Sequence, residues 1–325
     1  MDMLMRYGNK YQQDKQQQQN TLFGDLGEGI EIQKPELPKA PHMTTIERLN
    51  IEKDLIGIYL SAHPLDEYEF EVRTMSNMST SDLNWLETHK KEVEIKKRDG
   101  SKGSKRRLCL SDWQGVIEEK ETDEGETITI NVHDKMKELL EKHQNRSVHL
   151  CGLITTAEEK IGRSGTPYGS YVLEDYEGSY GFALFRDNYQ QLAPVLKPNV
   201  YVYLTGTIQQ AGKGQQWFKE KNIEDAEYEF SIQQVELLQE VQDKHLEELI
   251  LRIPITNVDR ELIDSLTNLA KSHPGKALLK IEVHDHTTNH LIQFTSQSYP
   301  VHVDKEFFRW LKTKAIEEVL QYRIK

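Results

Sequence analysis

From Val200 to Ile208 the chain alternates. Val200, Val202, Leu204, Gly206 and Ile208 fall on one side of a period of two, and Tyr201, Tyr203, Thr205 and Thr207 on the other. That pattern predicts a strand with one buried face. Val148, Leu150, Gly152 and Ile154 alternate in the same way. Further strands are expected at 168–174 and 180–185, joined by the turn Asp175-Tyr176-Glu177-Gly178, and near 230–238. Between them a short helix fits 188–196, ended by Lys197-Pro198-Asn199.

Elsewhere the apolar spacing is helical. Thr44 and Glu47 fit a capping box, and Ile46, Leu49, Ile56 and Tyr59/Leu60 fall on roughly one face of the helix that follows. His63-Pro64 is expected to end it, because the residue before proline avoids helical angles. A strand is expected at 107–110, another at 127–132, and a helix at 135–142. The tail reads strand (249–255), helix (259–272, with Asn257 a candidate cap), a Pro274-Gly275 turn, hairpin (276–284 and 289–295) and a last helix capped by Asp304. Three strands, a helix and two strands over 147–238 are the element order of a five-stranded OB-fold barrel. The expected molecule is multidomain, mainly β plus α+β. It has a flexible linker over 1–41, a helical segment with a basic-loop insertion over 42–146, the OB-fold domain over 147–240 and a small α+β domain over 241–325.

Within the linker, glutamines 16–19 run into Gln19-Asn20-Thr21-Leu22-Phe23. Leu22 and Phe23 are two adjacent apolar knobs in a polar tract, and the Gln19 amide both donates and accepts. Such a segment suits docking in a partner's pocket; the alternative is that Leu22 and Phe23 tack it back onto its own domain. Pro35, Pro38 and Pro41 follow, favouring extended conformations.

Composition narrows the classes. The 325 residues are 37% hydrophobic and 29% charged, ordinary for a folded chain of two or three domains. No apolar run approaches the roughly 20 residues that span a membrane. Cys109 and Cys151, the only cysteines, make no disulfide framework, which fits a reducing cytoplasm. A net charge of −12 argues against a chain-wide nucleic-acid footprint.

Two local features still suit nucleic acid. Between Lys90 and Arg107, nine basic residues face three acidic ones; Lys96, Lys97, Arg98, Lys102, Lys105, Arg106 and Arg107 would line a hairpin tip able to contact phosphates, or a solvated loop. The OB segment holds thirteen of the 27 aromatics, on which bases of a single strand stack. The candidates there are Tyr168, Tyr171, Tyr180, Phe182 and Trp217, with Lys160, Arg163 and Lys213 in the two loops such barrels use. Seven Lys/Arg against twelve Asp/Glu over 147–238 make any single-stranded DNA contact weak.

No H-E-x-x-H, Walker, G-x-S-x-G or dinucleotide fingerprint occurs. His284 and His286 look like parts of a hairpin turn. No metal site and no catalytic centre are expected.

Glu52–Tyr68 reads EKDLIGIYLSAHPLDEY. It resembles the E-K-E-x-L-G-x-Y-L-S-x-H-P-L-x-x-Y segment that precedes the OB domain in the alpha subunit of bacterial replicative DNA polymerase III. RYGNKYQQDKQQQQNTLFG upstream is similar to that family's stretch ending in a clamp-binding Q-x-x-L/M-F. The L-E-D-x-x-G turn at 173–178 and the 245–325 tail resemble its OB and C-terminal domains. The resemblance implies that Gln19, Leu22 and Phe23 dock on the DNA sliding clamp (the beta subunit). It places the OB domain near single-stranded template and the tail against the clamp loader's tau subunit, in DNA replication. The family is a DNA-directed DNA polymerase, a nucleotidyltransferase using Mg. Its palm aspartates lie upstream, so this chain is expected to be a C-terminal piece without catalytic residues or cofactor. Its first OB loop is poorer in Lys and Arg than is usual there, and the basic 90–107 insertion has no family role. A stand-alone OB-fold single-stranded nucleic-acid-binding protein is the alternative, and would bind oligonucleotides tightly. An OB-containing fragment of a class II aminoacyl-tRNA synthetase lacks room for its ATP-binding domain.

Overall fold

The computed structural model describes residues 5–13, 43–89, 92–94, 105–107, 110–121, 127–143, 146–209, 229–285 and 287–325. The chain forms two compact units, Met1–Arg48 and Leu49–Lys325. In the first, residues 5–13 are helical (α1), inside the stretch read as a flexible linker. The Tyr7 and Tyr11 rings stack one turn apart at 6.3 Å. The capping box forms: Glu47 N–H donates to Thr44 Oγ1 at 3.2 Å and Thr44 N–H to the Glu47 carboxylate at 2.8 Å.

Helix α2 (Thr45–Ile56) ends earlier than the sequence suggests. Gly57, at φ +90°, adopts the left-handed conformation that terminates helices, so Tyr59 and Leu60 leave the helical face. Of the expected stripe only Leu49 is buried, while Ile56 and Leu60 are exposed. Side chains hold the following segment instead. Glu52 accepts from the Leu60 and Ser61 amides and the Ser61 hydroxyl. Lys53 pairs with Glu174 at 2.6 Å. His63 Nδ1 accepts from Leu65 N–H at 3.2 Å and caps the 3-10 turn Pro64–Tyr68. Tyr201 Oη donates to Pro64 O at 2.9 Å. The conspicuous EKDLIGIYLSAHPLDEY segment thus fastens itself to the barrel.

Helices α3 (Glu69–Thr74) and α4 (Thr80–Thr88) follow. The β1 (Glu92–Glu94) and β2 (Lys105–Arg107) ladder is antiparallel, with Glu92 opposite Arg107, so a hairpin flanks residues 95–104. The strand expected at 107–110 runs instead over Lys105–Arg107, and Leu110–Trp113 is a 3-10 turn. A second hairpin pairs β3 (Ile117–Glu121) with β4 (Thr127–Asn131) and leads into α5 (Val132–His143).

The OB sheet contains β5 (Val148–Ile161), β6 (Pro167–Glu174), β7 (Ser179–Phe185), β8 (Val200–Gln209) and β9 (Glu229–Leu237), ordered β7-β6-β5-β8-β9 and antiparallel throughout. Leu150, Ile154, Leu173, Val202, Leu204 and Val235 fill it together with Leu83 and Leu86 of α4 and Met136 and Leu140 of α5. The end strands approach through side chains, Tyr180 lying edge-on to Phe230 at 6.3 Å. Helix α6 (Arg186–Leu192) touches both end strands.

After α7 (Val241–His245), the tail forms β10 (Glu248–Pro254), α8 (Arg260–Ser272), β11 (Pro274–Asp285), β12 (His290–Thr295), α9 (Lys305–Ile316) and β13 (Gln321–Ile324). Its sheet runs β12-β11-β10-β13, with β10 and β11 parallel around α8. Leu249, Leu251, Ile253 and Leu279 pack beneath Leu266 of α8 and Phe307, Phe308 and Leu311 of α9. Asp304 caps α9 through Phe307 N–H (2.9 Å). The cap of α8 is Asp259, accepting from Leu262 N–H at 2.7 Å. Asn257 instead donates to the carbonyls of Glu318 (3.1 Å) and Val319 (3.2 Å). Pro274-Gly275 starts β11 rather than making a separate turn.

A buried polar link joins these layers. Gln242 of α7 donates to Glu71 of α3 at 2.6 Å and exchanges bonds with the backbone of Val303 at 2.8 Å each way. Burial pushes the Glu71 carboxyl up to about 7, against the lowering effect of the Gln242 hydrogen bond.

Candidate nucleic-acid interface

The β6–β7 ladder decides which aromatics face water. Tyr168 lies opposite Phe185, Ser170 opposite Ala183, and Val172 opposite Gly181, on one face. Tyr171 lies opposite Phe182 and Leu173 opposite Tyr180, on the other. The second set is the core. Tyr171 is 4% exposed and Tyr180 is buried too; Phe182 packs between them at 5.4 and 6.1 Å. A Cβ on Gly169 would run into the Tyr171 ring, so that ring requires glycine beside it. Tyr171, Tyr180 and Phe182, candidates from the sequence, are therefore not platforms for bases. Alternation turns them inward.

The outward set is small and coherent. The Tyr168 and Phe185 rings stack at 5.0 Å and 24°, and Phe185 is 57% exposed. Beside them lies a cavity of about 770 Å³ lined in part by Gly162, Ser164, Thr166, Ser170, Ala183 and Arg186. Apart from the two rings and Arg186, its lining side chains are small. Lys160 sits opposite Tyr168 on β5 and reaches Ser170 Oγ (3.3 Å) and Glu158 (3.0 Å). Exposed Arg163 lies in the β5–β6 turn, which Gly165 closes at φ +78°. Tyr189 Oη donates to Glu159 at 2.5 Å, and this bond pushes the phenol up to about 12.

Phe185 and Arg186 were missed as site residues. Phe185 closes an alternating run, and the signal that finds it is its rung opposite Tyr168. Arg186, at φ +49°, begins α6 next to that rung. Gln19, Leu22, Phe23, Lys96, Lys97, Arg98, Lys102, Lys213 and Trp217 lie outside the described residues. Of Lys105, Arg106 and Arg107 only the backbone, in β2, is described. Among the described residues no group of three or more His, Cys, Asp or Glu could hold a metal ion, and no helix is long and apolar enough to cross a membrane.

Comparison with known proteins adds two domain matches. Residues 249–325 match the family model described as DNA polymerase III alpha subunit, C-terminal domain. The chain is similar to the C-terminal region of that subunit. Residues 148–238 match the family of OB-fold nucleic acid binding domains. A DNA polymerase III subunit alpha from Campylobacter jejuni is 19% identical over 294 residues, covering 84% of this chain and 20% of the relative. One from Treponema pallidum is 35% identical over 94 residues, 28% of this chain and 8% of its own. The chain thus spans about a fifth or less of these alpha subunits. The second OB-fold domain of replication protein A from Methanococcus maripaludis aligns over 29% of this chain and 84% of its own at 18% identity and a TM-score of 0.17. The OB assignment stands on the family match and the strand order.

Proposed function

We propose that this chain acts as the C-terminal module of a replicative DNA polymerase alpha subunit. Its OB domain holds single-stranded DNA on the Tyr168–Phe185 face, while neighbouring segments tether the polymerase. The observation that carries the alpha-subunit reading is the match of 249–325 to that subunit's C-terminal domain. The exposed stack supports the DNA contact, since bases stack on such rings whatever their sequence. Among the described residues Lys160, Arg163 and Arg186 are the cations beside it, which suits weak, transient contact beside a template rather than tight storage of single strands.

The tethering contacts are Gln19, Leu22 and Phe23 on the sliding clamp and the C-terminal domain on the clamp loader's tau subunit. A five-residue peg binds weakly alone and gains effective concentration once the polymerase is on DNA. Titrating sliding clamp into the chain and into Leu22→Ala/Phe23→Ala tests this: the double variant should bind much more weakly, and equal affinities would remove the clamp role. For the DNA contact, fluorescence anisotropy of a labelled thymidine oligonucleotide should show micromolar or weaker binding. Nanomolar binding would favour a dedicated single-strand-binding protein instead.

A further inference from the structure

Strand β12 ends the C-terminal sheet and has no neighbour on its outer side among the described residues. All six of its residues, HLIQFT, are exposed, with Leu291 at 52%, Ile292 at 54% and Phe294 at 55%. Sheet edges are normally blunted by lysine, proline, a bulge or a covering element. Among the described residues this one has no such device, and His290 is the strand's only titratable group.

The ladder fixes which backbone groups point outward. Ser296 N–H donates to Leu279 O at 2.8 Å, so residues 290, 292, 294 and 296 turn their amides toward β11. Leu291, Gln293 and Thr295 turn theirs away from it. Side chains divide the same way. Ile292 and Phe294 share the face of Val283 and Ile281, and Leu291, Gln293 and Thr295 that of His284, Glu282 and Lys280.

We propose that β12 pairs antiparallel with β12 of a second copy of this chain, about a two-fold axis through Gln293. The strand is complementary to itself in that register. Gln293 meets Gln293 and Leu291 meets Thr295, all with outward-facing backbone, giving about six inter-chain hydrogen bonds. On the other face Ile292 meets Phe294 twice, in the closer, non-hydrogen-bonded positions, so four exposed apolar side chains cover one another. Slipping by one residue sets outward amides against inward ones. Slipping by two, to an axis through Ile292, leaves both Phe294 rings without an apolar partner. The two-fold arrangement is the closed, isologous kind that most homodimers use. A chain of net charge −12 repels its copy, so added salt strengthens the dimer by screening.

Sedimentation velocity of the full chain over a concentration series tests the proposal. The expected result is a concentration-dependent dimer that gains with salt and is lost in Phe294→Lys. Gln293→Cys should form an inter-chain disulfide under mild oxidation, because hydrogen-bonded partners lie about 5.5 Å apart at Cα, whereas Thr295→Cys, off the axis, should not. Thermal melts of each variant separate lost pairing from lost folding. A monomer at every concentration, or a dimer that survives Phe294→Lys in a folded chain and shows no Gln293→Cys cross-link, would overturn it. So would association only with an unrelated extended apolar peptide.

Discussion

Strands β6 and β7 carry two aromatic cross-strand pairs three rungs apart, Tyr168 with Phe185 and Tyr171 with Phe182. Their chemistry is the same and their ring separations are close, 5.0 and 5.4 Å. An odd step along a strand reverses the face, so one pair is core and the other is surface. An aromatic count over this domain therefore says little about binding; only the rung parity relative to the core does. The inner pair packs in the barrel core, and the outer pair faces water.

The largest effect that would test this division is on stability. Tyr171→Ala should destabilise the chain by about 3–5 kcal/mol, as large-to-small aromatic changes in cores do, seen as a lower denaturation midpoint. A stability change under 1 kcal/mol would place Tyr171 outside the core. Next comes binding. Tyr168→Ala/Phe185→Ala should weaken oligonucleotide binding at least tenfold, at about 1–3 kcal/mol per stacked base, with the melt nearly unchanged. Anisotropy and circular dichroism on the same samples check both halves.

Charge shows the same inside–outside division. Glu71 is buried and its carboxyl sits near 7, raised above the ordinary 4.5. The unfolded chain gives up that proton at lower pH, so the native state holds more protons between those values. Stability should then fall as pH rises from about 4.5 to about 7 and level off above, and Glu71→Gln should flatten that slope. Urea melts across that range measure it, and a slope unchanged in the variant would show the cost lies elsewhere. The smallest expected change is at the exposed cations. Lys160→Gln/Arg163→Gln should lower affinity modestly and reduce the salt slope by about 1.4, at roughly 0.7 per phosphate contact on a single strand.

Much of this fold is legible in the sequence because its strands have one wet face. The period of two at 148–154 and 200–208 marks the barrel, and Asp304 announces its helix. Strand β13 was not legible. QYRI has no flanking turn signal and becomes a strand only by pairing with β10, some seventy residues earlier. The early end of α2 was missed because Gly57 was outweighed by His63-Pro64, although a left-handed glycine stops a helix as surely as a proline. The OB aromatics were legible as a set and not by face, since facing depends on a bulge in β5 and on the β6–β7 register, both long-range facts. Asn257 and Asp259 are both good caps by type, and which one serves is settled by where α9 ends beside Asn257.

Photocross-linking asks most directly whether the outward pair meets nucleic acid. A single-stranded oligonucleotide carrying 5-bromodeoxyuridine would be irradiated with the full chain and the adducted peptides mapped. Adducts at Tyr168 or Phe185, lost on competition with unlabelled strand, are the predicted result. Adducts confined to other parts of the chain, with Tyr168 and Phe185 unmodified, would contradict it.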